Sequence, residues 1–295
     1  MVELQSPFVA FAPGFMRRVE QFVPRLAAAR ERREGAGGAR LDGAGLEFVG
    51  RRPYRPGDDP RRIDWELLAR EDRPWVRVLH REAAERWAIA VDVSGSMGVG
   101  PPGKLQAAAE VALALAAVGV RARALVTLHL SDGPEGSAPP NVALRRSGDL
   151  ARAAEVLGRA VARPSARGLG AVIRDRRLPS DAGRVVLLGD LWDVSAAEVA
   201  SLQRPGRELV VGRVLAPVEL EPGQLGASAA RFIDPEDGRS ALVALDAHQV
   251  AAYQEDLDAE LDRFVGALAR RRIRVHAWRS DAPFEDPAGA LLDPR

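Results

Sequence analysis

The residues with the plainest chemical capacity are Asp92, Ser94 and Ser96, in the stretch WAIAVDVSGSMG from Trp87 to Gly98. They alternate along the chain, and Gly95 allows the turn that brings one carboxylate and two hydroxyls around a common point. Such an all-oxygen set suits a hard divalent cation, Mg²⁺ (or Mn²⁺), which keeps several waters rather than demanding an all-protein cage. Two neutral serine ligands leave the ion under-neutralised, so it would favour an outside carboxylate as its last ligand. Asp190 ends a second apolar run, VVLLGD. A site of this kind binds acidic partners and does not by itself make a catalyst. The plain structural alternative is a strand ending in a polar turn that caps the next helix.

These residues need elements to position them. After Trp87 the pattern alternates between strands and helices, which predicts an α/β fold with a doubly wound, mainly parallel sheet. The predicted strands are Ala88 to Val93, Ala124 to Leu130, Asn141 to Leu144 as a short edge, Arg184 to Leu188, Glu208 to Leu215 and Ile273 to Trp278. Helices are predicted over Lys104 to Val118, Asp149 to Val161, Leu169 to Arg176, Ser195 to Gln203 and Ala247 to Arg271. A hairpin, RFIDPEDGRSALVAL, turns at Pro235 to Gly238. Ligands of such sheets sit at the carboxyl ends of the strands where the strand order reverses, so Asp92 and Asp190 share one crevice if their strands are neighbours there. Asp193 is a possible second carboxylate at the rim, although Ser195 competes with it to start the next helix.

Upstream, helical spacing from Pro13 to Arg33 puts Phe15, Val19, Phe22 and Leu26 on one side. The glycine-rich piece from Gly35 to Gly45 ends that helix, and Leu46 to Arg86 reads as short and extended. The expected division is residues 1–86, a helix plus a small β-rich N-terminal region carrying PGDDPRRIDW, and residues 87–295, the α/β domain.

With 46% hydrophobic and 28% charged residues over 295 positions, the chain can bury a sizeable core. The formal net charge of +1 supplies no global field toward nucleic acid or anionic membrane. Its basic residues are arginine except for Lys104, a bias that reads as a coding habit. Arginine-rich stretches such as ARRRIRVH lie next to acidic QEDLDAELD and read as a salt-bridged, solvated face. Without cysteine there is no disulfide, thiolate zinc site or thiol nucleophile, and His80, His129, His248 and His276 are too scattered for a zinc site. The N-terminus does not read as a secretory signal, and VALALAAVGV is half the length of a membrane span. The expectation is a cytoplasmic protein with no membrane span.

The D-V-S-G-S stretch after an apolar strand resembles the metal-ion-dependent adhesion motif (MIDAS) of von Willebrand factor A domains. YRPGDDPRRIDW, Tyr54 to Trp65, followed by Ala69-Arg70, resembles the signature of the bacterial family called domain of unknown function 58, DUF58. The resemblance implies a von Willebrand factor A-like fold behind a distinctive N-terminal segment, and association with MoxR-type AAA+ ATPases. It carries over Asp92, Ser94 and Ser96 as direct metal ligands and Asp190 as a ligand through water. Where such domains place a threonine ligand, this chain has RPSARGLG, Arg163 to Gly170, with Ser165 the only hydroxyl. Metal binding is therefore expected to be weak.

Within the upstream motif, Asp58, Asp59, Arg61, Arg62 and Asp64 form either a partner surface or a tight turn of paired charges, and Trp65 is expected to be a packing anchor. An enzymatic rival is a phosphate-binding loop, since GVGPPGKL matches G-x-x-x-x-G-K from Gly98 to Lys104. Against it, Leu105 lacks the hydroxyl that holds Mg²⁺, and Pro101 and Pro102 remove two backbone donors. A metal hydrolase on the same aspartates lacks an evident general base. The sequence thus points to a non-enzymatic adaptor or chaperone-like protein. It would work with a MoxR-type ATPase on an unknown client, with a partner's acidic residue at the metal; a scaffold with a degenerate site is the other alternative.

Overall fold

Alternation decides the architecture. In the strand RWAIAV, Trp87, Ile89 and Val91 enter one apolar cluster while Ala88 and Ala90 enter another, so the strand is buried on both faces, as parallel strands between helices must be. The computed structural model describes residues 6–34, 46–55, 58, 60, 63–81, 85–133, 138–164, 166–226 and 228–292. It divides into two compact units, Met1–Gly38 with Glu85–Arg295, and Ala39–Ala84.

In chain order, helix α1 (Phe15–Glu34) belongs to the larger unit. The smaller unit holds strand β1 (Leu46–Pro53), helix α2 (Trp65–Glu71) and strand β2 (Trp75–Arg81), with β1 and β2 antiparallel. Helix α2 replaces part of what the sequence suggested was extended. Asp64 starts it, its carboxylate accepting the Leu67 N–H at 3.2 Å and the Arg51 Nε–H at 2.8 Å. Trp65 is not the expected packing anchor. It is the first helical residue and is 61% exposed.

The larger unit continues through β3 (Arg86–Val91), α3 (Lys104–Arg121), β4 (Leu125–Leu130), β5 (Asn141–Leu144), α4 (Leu150–Gly158), α5 (Leu169–Arg174), β6 (Arg184–Gly189) and α6 (Ala196–Ser201). It closes with β7 (Glu208–Leu215), α7 (Pro217–Leu220), β8 (Ala229–Ile233), β9 (Ser240–Ala244), α8 (Ala247–Ala269), β10 (Arg274–Arg279) and α9 (Glu285–Leu292). Six strands form one sheet in the order β10-β7-β6-β3-β4-β5, parallel except for β5. The chain leaves β3 toward β4 and returns to place β6 on its other side, so the strand order reverses between β3 and β6. Helices α1, α3, α4 and α9 cover one face and α5, α6 and α8 the other. This is the doubly wound α/β arrangement expected from the alternating pattern.

Among the described residues, no helix is long and apolar enough to cross a membrane. Helix α3 is the most deeply enclosed, and its approach to the sheet depends on Gly119. A Cβ there would lie 2.6 Å from a Val126 methyl and 2.8 Å from the Trp87 ring. Alanine normally improves a helix interior by roughly 0.5–1 kcal/mol over glycine. Here overpacking, at about 1–3 kcal/mol, outweighs that gain. Gly119→Ala is expected to lower the denaturant midpoint, as followed by urea unfolding.

Candidate functional site

The reversal between β3 and β6 brings the two strand-end aspartates together. The Asp92 N–H donates to the Leu188 carbonyl at 2.9 Å, which locks the end of β3 beside that of β6, two residues short of Asp190. Asp92 is fully buried and Asp190 is 1% exposed. The loop after β3 folds over its own carboxylate: the Ser94 N–H donates to Asp92 Oδ1 at 2.8 Å, and the Ser94 and Ser96 hydroxyl oxygens lie 3.2 Å apart. Ser131, at the end of β4, receives the Val93 N–H at 2.9 Å and directs its hydroxyl at Asp92 Oδ1 from 3.4 Å.

The Arg163 to Gly170 segment, where the resemblance places a threonine, runs alongside this loop. The Arg163 N–H donates to the Val93 carbonyl at 3.3 Å, and the Leu169 N–H reaches Asp92 Oδ2 at 3.4 Å. Ser165 lies outside the described residues.

Charge divides the site into two halves. On one side Lys104, the first residue of α3, places its ammonium 2.7 Å from Asp190 Oδ2 and 2.5 Å from Glu219 Oε1 of α7, with no exposure at all. Burial disfavours its charge, but Asp190 and Glu219 more than offset this and raise its affinity for the proton. The lysine that matched a phosphate-loop motif is thus enclosed by two carboxylates. On the other side Asp92 has no cation within ion-pair reach among the described residues. Burial pushes its carboxyl up to about 7, with Asp190 and then Asp193 adding repulsion, against the Ser94 N–H that favours the charge.

An open pocket of about 820 Å³ lies over these groups, lined by Ser94, Ser96, Asp190, Trp192, Asp193 and Glu236, among others. Trp192 stacks under the buried Arg213 guanidinium, 4.3 Å from its ring centre. Asp193 accepts the Gly170 N–H at 3.0 Å, while Ser195 caps α6. The β8–β9 hairpin supplies one wall: Glu236, in its turn, accepts the Ser96 N–H at 2.9 Å. Ser131, Glu219 and Glu236 were not singled out from the sequence. Ser131 carried a signal, because LHLSD is another strand ending in polar residues. Glu219 and Glu236 are brought in only by chain folding across more than a hundred residues.

The donor set fits one hard cation on the Asp92 side. Ligands of an octahedral Mg²⁺ at about 2.1 Å stand about 3 Å apart at neighbouring vertices, close to the 3.2 Å separation of the two hydroxyls. Asp92, buried and with no cation within ion-pair reach among the described residues, would be held ionised by such a cation. Among the described residues no three His, Cys, Asp or Glu side chains converge as a metal cage. Such an ion would therefore rest on hydroxyls, one carboxylate and water.

In the smaller unit, Asp58 is clasped by Arg52 through two contacts of 2.7 and 2.6 Å, and Asp64 is the buried helix cap. Both therefore serve local structure. Asp59, Arg61 and Arg62 lie outside the described residues.

A model of the family described as "Protein of unknown function DUF58" matches residues 50–262. Relatives include "Uncharacterized protein Mb1516" of Mycobacterium bovis and "Uncharacterized protein MT1527" and "Uncharacterized protein Rv1480" of Mycobacterium tuberculosis. Each is 36% identical over 114 residues, an alignment covering 34% of this chain and 35% of the relative. The chain thus spans about a third of the length of the curated relatives it matches.

Two outcomes are expected. Lys104→Met leaves Asp190 buried and Glu219 partly buried without their counter-charge, which costs about 3–5 kcal/mol in denaturant unfolding. Lys104→Arg does not restore stability, because a planar guanidinium overfills a space built for a compact ammonium. The second concerns Asp58, whose carboxyl is lowered to about 2 by the Arg52 hydrogen bonds and the Arg55 N–H. Its stabilisation is present above the ordinary carboxylate value near 4 and is lost as pH falls through about 2. Melting of Asp58→Asn beside the parent chain should show a deficit at pH 7 that closes toward pH 2.

Proposed function

Because the chain belongs to the DUF58 family, which is described only as of unknown function, its role is read from its own site, and we propose that it is a non-enzymatic protein-binding adaptor. In this reading the α/β unit is a von Willebrand factor A-like domain. Its MIDAS-type site holds Mg²⁺ (or Mn²⁺) through Asp92, Ser94 and Ser96, with Asp190 acting through water. The ion would supply an electrophilic docking point for a partner's glutamate or aspartate.

The observation that carries the reading is the Asp92 carboxyl group, wholly buried, beside two converging hydroxyls and with no cation within ion-pair reach among the described residues. A carboxyl buried in this way either keeps its proton or is held ionised by a cation, and a bound metal ion would do the latter. The family resemblance makes a MoxR-type AAA+ ATPase the partner, acting with this chain on a client protein. The phosphate-loop alternative at Gly98–Lys104 draws little support, since Lys104 already holds two carboxylates and has no exposed surface.

Ligand that binds only the native state stabilises it by about 2.7 kcal/mol at a hundredfold excess over Kd. Thermal melting with Mg²⁺ or Mn²⁺ is expected to show a rise that EDTA reverses and that Asp92→Ala abolishes. Capture of a MoxR-type ATPase is expected to need both the ion and Asp92. Steady ATP hydrolysis by the purified chain alone would rule the adaptor reading out, and capture indifferent to EDTA would replace metal-dependent docking with a scaffold whose site is degenerate.

A further inference from the structure

The carboxylate that reaches the Asp92 loop from outside the sheet is the chain's own. The β8–β9 hairpin is a separate two-stranded sheet, and ribbons of this size are marginal in isolation. Its strands leave Phe232 and Ile233 40% and 56% exposed, so little apolar burial holds them. The turn, in contrast, is tightly organised. The Asp234 carboxylate accepts the Glu236 N–H at 2.8 Å, the Asp234 carbonyl accepts the Gly238 N–H at 2.9 Å, and the Asp234 N–H donates to the Arg239 carbonyl at 2.7 Å.

That turn presents Glu236 Oε1 to the Ser96 N–H at 2.9 Å, a charge-assisted bond across 140 residues. The two backbones also touch. A Cβ on Gly95 would lie 2.4 Å from the Pro235 carbonyl oxygen, an approach only glycine permits. The turn is thus fitted to the middle of the Asp92-to-Ser96 loop by shape and by charge.

We propose that the hairpin turn is a latch on this site: Glu236 takes the place of the partner's carboxylate, and the hairpin closes the loop until an acidic partner displaces it. The proposal rests on the reading that an outside carboxylate completes the site, but the latch itself is measurable with neither cation nor partner. Its simplest consequence is that loosening the turn frees the whole ribbon, because the strands have little else to hold them.

Hydrogen exchange followed by mass spectrometry, in metal-free buffer, tests this on the full chain with two variants. Glu236→Gln removes the charge and keeps the shape; Gly95→Ala keeps the charge and pushes the backbones apart. Both are expected to speed exchange in residues 229–244 and at the Ser96 amide by about tenfold, because a neutral amide oxygen accepts the Ser96 N–H more weakly than a carboxylate does and displaced backbones lengthen the same bond. Unchanged exchange in both variants overturns the latch. A response to Gly95→Ala alone overturns the role of Glu236.

Mn²⁺ titration followed by electron paramagnetic resonance adds a second reading. Glu236→Gln is expected to weaken Mn²⁺ binding about tenfold if its carboxylate stands at the partner's position. Equal affinity in parent and variant overturns that assignment. If the parent chain binds no Mn²⁺, the cation reading above falls, and the exchange rates alone decide the latch.

Discussion

Two parallel strands that end side by side on carboxylates create an electrostatic problem on which the rest of this site depends. β3 and β6 bring Asp92 and Asp190 to the same edge of one sheet, both removed from water. Like charges in such a place repel each other and lose their hydration. The chain answers on one side only: Lys104 enters from the start of α3 and binds Asp190 together with Glu219. Asp92 receives hydrogen bonds but, among the described residues, no counter-charge. The contrast between a neutralised and an unneutralised half gives the site its polarity.

Much of this was legible in the sequence. Apolar runs ending at Asp92 and Asp190 mark the strands, because a parallel strand covered by helices on both faces is mostly apolar until it leaves the core. The helices facing those strands were legible from their spacing for the same reason. The meeting of the two aspartates required only that the strand order reverse between them, which the structure shows.

What the sequence hid were contacts that no local pattern encodes. Lys104 sits in a glycine- and proline-rich stretch that reads as a phosphate loop, and the carboxylates that claim its ammonium come from 86 and 115 residues away. Glu219 lies on a four-residue helix with no periodicity to announce it. The hairpin around Pro235 was visible as a hairpin, yet nothing in its alternation says where its turn docks. Trp65 misled through composition, since a large aromatic is usually interior; at the first position of α2 it lies on the solvent side of a helix whose buried group is the Asp64 cap. Asp58 and Asp64 pair with Arg52 and Arg51 of β1, contacts that the spacing of the motif does not announce.

Lys104 is the only lysine in the sequence, and it is sealed inside the protein. The native exterior of the described residues therefore carries its positive charge on guanidinium groups, which resist acylation. Succinimidyl dyes and amine-directed crosslinkers would find no side-chain target on the folded molecule. Acylation of that one ε-amine would become a timer for opening of the innermost part of the α/β unit, written into the chain without any engineered label.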